Sequence, residues 1–242
     1  MKHALVTALI FVSLPLQLLS VAVSLTDREQ ELINHVQLSI DRAEKGQSKL
    51  TPSVLAVPGM TSHKVKHFLN NVCSMANSNY LEIGVWQGAT FTAALYENDA
   101  AIKAAVAIDD WSEFGGPAEQ FERHCKDNIS LRMNYKFYNH NSFTIDKSKL
   151  FNGPVDIYFY DGDHVELAQE LAFAYYDSIF ADSFIAIVDD WNHPPVKTGT
   201  RKAFAKLGYT VLFEREMPSN GNGDTENWWN GYYIAVVRRN IK

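Results

Sequence analysis

The chain has 242 residues, of which 46% are hydrophobic and 12% aromatic, enough for one sizeable core but short for two full domains. Its formal net charge of -6 argues against a protein that grips nucleic acid through clustered Lys and Arg. Its two cysteines, Cys73 and Cys125, are too few for a disulfide scaffold. The sequence favours buried free thiols, although the two could pair in an oxidising compartment.

The amino terminus has the pattern of a targeting segment. Lys2 and His3 precede an uncharged, apolar stretch over residues 4–25, and small residues near its end offer a cleavage site. This order is typical of a secretory signal peptide, while a length close to a bilayer span leaves an uncleaved anchor open. We therefore predict a signal peptide or membrane anchor over residues 1–25 and a domain over residues 26–242 that is extracytoplasmic or membrane-anchored in the secretory pathway. A buried helix of the fold is disfavoured because the stretch lacks amphipathicity.

Residues 26–79 are predicted to form added helices. Thr26 and Glu29 have the spacing of a capping box, and they open a helix that is expected to end before Gly46. Apolar residues at helical spacing predict a second helix further along, at Val65, Phe68, Leu69 and Val72.

Residues 80–242 alternate short apolar runs with helical segments, which is typical of an α/β domain with a mainly parallel sheet. The runs that predict strands begin at Tyr80, Ala104, Tyr135, Val155, Phe184, Tyr209 and Gly231. No helical pattern separates the last two runs, so the final strand is expected to return antiparallel.

The first three strands end in residues suited to a ligand, because open parallel sheets bind ligands beyond the carboxyl ends of their strands. Glu82, Gly84 and Gly88 form an E-x-G-x-x-x-G pattern, which differs from the dinucleotide fingerprint and on its own is consistent with a simple turn. Asp109, at the end of the second strand, has the chemistry to accept hydrogen bonds from a ribose, but capping or solvation explains it equally well. Asn141 and Ser142 suit an adenine edge and are also ordinary turn residues.

The fourth and fifth strands end in carboxylates. Asp161, Asp163 and His164 follow one, and Asp189 and Asp190 follow the next. Carboxylates gathered at one edge of a sheet usually need a bound cation or a shared proton. Three oxygen donors without cysteine favour Mg²⁺, Mn²⁺ or Ca²⁺ over zinc. The alternative is that some of them are helix N-caps, with Asp163 the first candidate.

With these motifs the chain, from about residue 59 onward, resembles class I S-adenosylmethionine-dependent methyltransferases and is similar to the metal-dependent O-methyltransferases of the catechol and macrolide-sugar types. The resemblance implies a Rossmann-like seven-stranded sheet, mainly parallel with the last strand antiparallel and flanked by helices. It assigns donor contacts to Glu82, Gly84, Gly88, Asp109, Asn141, Ser142 and Asp161. It assigns the ligands of a divalent cation, expected to be Mg²⁺, to Asp161, Asp189 and Asp190.

The resemblance leaves the base open. The catechol enzymes carry a lysine where this chain has His164, whereas the "DGD" of the sugar enzymes would make Asp163 the base. The implied reaction is methyl transfer to a hydroxyl of a sugar, phenol or related small molecule, with oligomeric state open. Trp228 and Trp229 are equally consistent with an acceptor wall and with core packing.

Two alternatives remain at this point. A metal-independent methyltransferase would use Asp161 and Asp163 only as acid/base and orienting groups. A catalytically silent module of the secretory pathway would keep the fold and bind donor or metal without turnover.

Overall fold

The computed structural model describes residues 24–115 and 118–240. The predicted leader over residues 1–25 therefore lies almost wholly outside the described residues. Among the helices that are described, none is both long enough and apolar enough to cross a membrane.

The described residues form seven α-helices, seven strands and two short 3-10 helices, Lys147–Lys149 and Asp177–Ile179. The helices are α1 (Asp27–Glu44), α2 (Pro52–Leu55), α3 (His63–Val72), α4 (Ala89–Leu95), α5 (Ala118–Asn128), α6 (Glu166–Tyr176) and α7 (Pro194–Leu207). The strands are β1 (Ser78–Ile83), β2 (Ile102–Asp109), β3 (Tyr135–Asn139), β4 (Val155–Tyr160), β5 (Phe180–Val188), β6 (Thr210–Met217) and β7 (Tyr232–Arg238).

The strands form one sheet in the order β3-β2-β1-β4-β5-β7-β6. The first five strands in this order are parallel to one another, while β7 runs antiparallel to both β5 and β6. The predicted Rossmann-like α/β fold with an antiparallel final strand is confirmed. The chain moves outward from β1 to β3 and then returns to place β4 beside β1, so the topological switch point lies between β1 and β4, where such sheets bind ligands.

Both faces of the sheet are covered. Buried side chains of α1, α3, α4 and α5 pack on one face, and those of α6 and α7 pack on the other. The central strands carry mainly apolar side chains because they are buried from both sides, and Glu82 of β1 is a buried exception. Cys73 and Cys125 are buried free thiols, as the sequence favoured.

The amino-terminal helices form where the sequence places them. The capping box of α1 is present: the Glu29 backbone N–H donates to Thr26 Oγ1 over 3.2 Å, and Thr26 N–H donates to Glu29 Oε2 over 2.8 Å. Arg238 of β7 also donates to Glu29, so α1 is fastened to the sheet as well as packed on α3.

The loop between α1 and α3 contains the short helix α2, which the sequence analysis did not predict. Buried Lys66 closes its carboxyl end, because Lys66 Nζ donates to the carbonyl oxygens of Leu55 and Val57, each over 2.7 Å. Burial lowers the pKa of Lys66 to about 8. The following loop reaches the carboxyl edge of the sheet, where Met60 borders the cavity described next.

Candidate functional site

A cavity of about 700 Å³ opens at the carboxyl edge of the sheet around the switch point. Its volume falls within the range of about 300–1,000 Å³ that is usual for small-molecule sites. Most of the residues proposed for the site line it: Gly84, Asp109, Asn141, Ser142, Asp161, Asp163, His164, Asp189 and Asp190. Parallel strands bring these distant positions to a single edge.

The carboxylate of Asp109 organises the loop after β1. Its Oδ2 accepts hydrogen bonds from the backbone N–H groups of Val85 and Trp86, each over 2.8 Å, and its Oδ1 accepts from Trp111 N–H over 2.8 Å. The Trp111 indole N–H in turn donates to the Trp86 carbonyl over 2.7 Å. The acid of the second strand thus shapes the loop of the first, and a carboxylate retains acceptor capacity beyond these three bonds.

Trp86 supplies a donor that the sequence analysis missed. Trp86 is among the residues that line the cavity, and its buried Nε1–H has no hydrogen-bond partner among residues 24–115 and 118–240. Its backbone φ of 39° is rare for a bulky residue. Buried N–H groups are normally satisfied, so this one is available to a ligand with an acceptor group. With Asp109 beside it, the cavity fits a ligand that carries both a carboxylate and a ribose, as S-adenosylmethionine does.

Glu82 and Gly88 lie behind this loop and are not among the lining residues. Glu82 is fully buried and accepts hydrogen bonds from the hydroxyls of Thr90 and Tyr80, each over 2.5 Å. Burial raises the pKa of Glu82 to about 8. Gly88 precedes α4 at a φ of 83°, where the Phe121 ring would lie 2.8 Å from an added Cβ.

Asp161 and Asp189 are the two carboxyl groups of the cavity lining whose pKa values are raised. Burial raises the pKa of Asp161 well above its usual range, and the carboxylates of Asp189 and Asp190 raise it further. Within the described part of the chain, no protein group donates a hydrogen bond to the Asp161 carboxylate. Burial and Asp190 also raise the pKa of Asp189, although Asp189 accepts from the Asp190 backbone N–H over 2.6 Å and from the Tyr232 hydroxyl over 3.0 Å.

Asp190 has partners on both oxygens. His164 Nε2 lies 2.6 Å from Asp190 Oδ2, and Asn230 Nδ2 donates to Asp190 Oδ1 over 2.6 Å. Burial acts to raise the pKa of Asp190, but the hydrogen bonds from His164 and Asn230 outweigh it and leave that pKa below its usual value. The hydrogen bond to Asp190 raises the pKa of His164.

Asp161, His164 and Asp190 have the geometry of a cation site, since one ligand atom from each lies within 4.8 Å of the others. The family resemblance implies Asp189 as the third ligand. In the structure His164 meets the other two instead, while both oxygens of Asp189 accept hydrogen bonds from the protein. Two carboxylates and an imidazole suit a divalent cation, and the imidazole widens the choice beyond Mg²⁺ to transition metals such as Mn²⁺.

Asp163 is exposed at the edge of the cavity and is not the N-cap of α6, a position that Val165 occupies. Asp163 Oδ1 accepts from the Val165 backbone N–H over 2.9 Å and closes a turn that stops short of the helix. The alternative that Asp163 is a helix N-cap is therefore wrong, because the N-cap lies two residues later.

Comparisons with known proteins bear on the fold. No protein-family model and no curated protein matches the sequence. A provisionally assigned methyltransferase complexed with SAH matches 73% of the chain with a TM-score of 0.51 and 16% identity, and the chain spans about half of it, 48%. Cofactor-bound Rv0187 from MTB gives a TM-score of 0.54 at 16% identity, covering 87% of this chain and 91% of that one. A provisionally assigned O-methyltransferase from Klebsiella pneumoniae gives 0.51 at 13% identity, covering 86% and 90%.

These similarities establish the fold. The chain has the fold of class I S-adenosylmethionine-dependent methyltransferases, and cofactor-bound structures are among its structural neighbours.

Proposed function

We propose that this protein transfers the methyl group of S-adenosylmethionine to a hydroxyl of a small molecule, assisted by a divalent cation held by Asp161, His164 and Asp190. The observation that carries the proposal is the environment of the Asp161 carboxylate. Its carboxylate lies at the switch point of a methyltransferase fold, among other carboxylates and without a hydrogen-bond donor in the described part of the chain. A bound cation is the usual compensation for such a group.

The donor would occupy the part of the cavity nearest β1 and β2. In this proposal the Trp86 indole N–H donates to the donor's carboxylate, Asp109 accepts from its ribose hydroxyls, and Asn141 and Ser142 contact its adenine. The unpartnered Trp86 N–H and the position of all four residues in the cavity lining support these roles. When bound, the donor supplies an electrophilic methyl group on a sulfonium. The chain contributes orientation, which is a large part of catalysis in direct displacement.

We assign the role of general base to Asp163, which would accept the proton of the acceptor hydroxyl. His164 Nε2 is already engaged with Asp190, which suits a ligand or an orienting group, whereas Asp163 has one oxygen free of hydrogen bonds from the described residues. The acceptor hydroxyl would give its proton to Asp163 as its oxygen forms the new bond to the methyl group, with S-adenosylhomocysteine as the leaving product. A divalent cation would supply positive charge that favours the ionised hydroxyl.

Titration calorimetry with S-adenosylmethionine, first with Mn²⁺ or Mg²⁺ and then with a chelator, tests donor binding, and a methyl-transfer assay on hydroxylated acceptors in the same two conditions tests the metal. We expect micromolar donor binding in both conditions and hydroxyl methylation only with the cation. Turnover that persists in chelator would favour the metal-independent enzyme, and donor binding without turnover would favour the silent module. No donor binding would refute a methyltransferase.

A pair of variants separates the ligand from the base. His164→Gln should weaken Mn²⁺ binding by at least roughly 10–100-fold, the range seen when even an outer-shell partner of a metal site is changed. Asp163→Asn should lower kcat by roughly 100-fold or more and leave the Mn²⁺ affinity unchanged. The reverse pattern would make His164 the base and remove it from the ligand set.

The targeting segment is a separate proposal. We propose that residues 1–25 direct the chain to the secretory pathway or anchor it to a membrane. Fractionation of cells that express the full chain, followed by amino-terminal sequencing, tests it. Recovery of the uncleaved chain in the cytosolic fraction would contradict both forms.

A further inference from the structure

The adjacent residues Trp228 and Trp229 have different environments. Trp228 is 3% exposed, its indole N–H donates to Glu44 Oε1 over 2.7 Å, and its ring packs edge-on against Phe68 with centroids 5.8 Å apart. Trp229 is only partly buried and lines the cavity. The first tryptophan is therefore part of the core, and the second faces the site.

Trp229 is held in an unfavourable backbone conformation. Its φ is 53°, a region that bulky residues rarely adopt. Asp224 maintains it through two backbone hydrogen bonds of 3.2 Å, one from Asp224 N–H to the Trp229 carbonyl and one from Trp229 N–H to the Asp224 carbonyl. Strain of this kind persists only where the surroundings impose it, and it concentrates at ligand sites.

The loop that carries Trp229 is held by hydrogen bonds on both sides of this residue. The next residue, Asn230, donates to Asp190 of the proposed cation site. Two residues earlier, the Asn227 carbonyl accepts from the Ser62 hydroxyl over 2.5 Å, which links this loop to the one that brings Met60 to the cavity. The loop of Trp229 is therefore hydrogen-bonded to the proposed cation site through Asn230 and to the segment before α3 through Asn227.

The charge of the cavity restricts what can bind there. Asp110 and Glu113 line it in addition to the five aspartates described above, and no Lys or Arg is among the lining residues that the structure describes. A sulfonium and a divalent cation would offset only part of this negative charge. An anionic acceptor would be repelled, whereas a neutral or cationic one would not.

We propose that Trp229 is the surface on which the acceptor stacks, and that the acceptor is an uncharged or cationic hydroxylated ring compound. This inference rests on the proposed function, because it assigns the acceptor side of the same site. An indole face offers apolar contact to a flat ring and attracts a nearby positive charge.

Two series of ring compounds that differ within each series mainly in charge test the proposal. One is 4-methylcatechol, dopamine and 3,4-dihydroxybenzoate, and the other is glucose, glucosamine and glucuronate. Binding is measured by calorimetry with S-adenosylhomocysteine and Mn²⁺ present, so that no turnover is needed. In at least one series, the neutral and cationic members should bind at least about tenfold more tightly than the anion.

The variants distinguish stacking from a structural role. Trp229→Ala should weaken binding of the preferred compound by about tenfold, and Trp229→Phe, which keeps a ring, should restore most of it. The matched control is Trp228→Phe, which should lower thermal stability but leave both the affinity and the charge preference unchanged.

The outcomes are separable from those of the proposed function. If wild type fails to bind S-adenosylhomocysteine, the proposed function fails and this inference falls with it. If it binds S-adenosylhomocysteine but no member of either series below about 10 mM, or binds the anions equally well, or is unaffected by Trp229→Ala, the proposed function stands and the acceptor assignment is refuted.

Discussion

Replacing Asp161 by asparagine should stabilise the metal-free protein and abolish its stabilisation by metal. The ligand atoms of Asp161 and Asp190 lie within 4.8 Å of each other, and two unit negative charges at that separation repel by about 3.5 kcal/mol at an effective dielectric constant of about 20. Attraction to protonated His164 offsets part of this repulsion. We therefore expect a net gain of about 1–2 kcal/mol, which corresponds to a rise in Tm of about 2–8 °C for a chain of this size.

The dependence of this gain on pH has a definite sign. Burial and the neighbouring aspartates raise the pKa of Asp161 in the folded state, so the folded protein holds this proton more tightly than the unfolded chain does. The wild type consequently loses stability as pH rises above the ordinary carboxyl pKa, and the asparagine variant lacks this contribution of Asp161. The gain from Asp161→Asn should be larger at about pH 8 than at about pH 5.

Thermal unfolding in a chelator, followed by circular dichroism, measures the effect, and the scans are repeated with Mn²⁺. Asp163→Asn is the matched control, because Asp163 is exposed, lies outside the cluster of three, and as asparagine can still accept from the Val165 N–H. That control should change stability by less than about 0.5 kcal/mol. A Tm for Asp161→Asn at or below that of Asp163→Asn in chelator would refute the electrostatic reasoning.

Three further predictions follow from buried groups around the donor side. Burial raises the pKa of Glu82 to about 8, so ionising it in the folded protein costs free energy. The stability of Glu82→Gln relative to wild type should therefore increase by roughly 3 kcal/mol as pH rises from about 4.5 to 7. An equal difference in the free energy of unfolding in urea at the two pH values would contradict this. Asp109→Ala should raise the Kd for S-adenosylmethionine by roughly 30-fold or more, since three backbone N–H groups lose a charged acceptor; an unchanged Kd by calorimetry would remove Asp109 from the donor site. Trp86→Phe should raise the Tm of the ligand-free protein, because it removes a buried unsatisfied donor, and should weaken donor binding by roughly 5-fold or more; a lower ligand-free Tm or an unchanged donor Kd would show that the indole N–H has no such role.

The positions of the strands along the chain were predictable because their sequence signals are local. The runs beginning at Tyr135 and Val155 are strands over the predicted residues, and the others differ only at their ends. Runs buried on both faces are mainly apolar, and this pattern is visible in the sequence of each run without knowledge of the rest of the chain. The short helix at Pro52–Leu55 was missed because a single turn in a loop with three nearby breakers has too little periodicity to detect.

The edge at which the site forms was predictable for the same reason. Carboxyl ends of parallel strands meet at one edge, so the residues after each strand had to converge there. Which groups would donate hydrogen bonds to each carboxylate was a different question. Its answer depended on Tyr232 and Asn230, which reach Asp189 and Asp190 from the last strand and the loop before it, and a contact between residues 40 positions apart leaves no signal in one sequence.

What the sequence determined by itself was the alternation of elements, the antiparallel return of the final strand and the set of residues at the ligand edge, because these follow from periodicity and chain direction. Only the tertiary structure decided that His164 joins Asp161 and Asp190, that Glu82 is buried behind the loop, and that Trp229 and not Trp228 faces the cavity. These distinctions depend on which side chains already have partners when the chain is packed. That information lies in contacts between distant segments, where the free energy of burying a charge or an indole is decided by its neighbours and not by its own position in the chain.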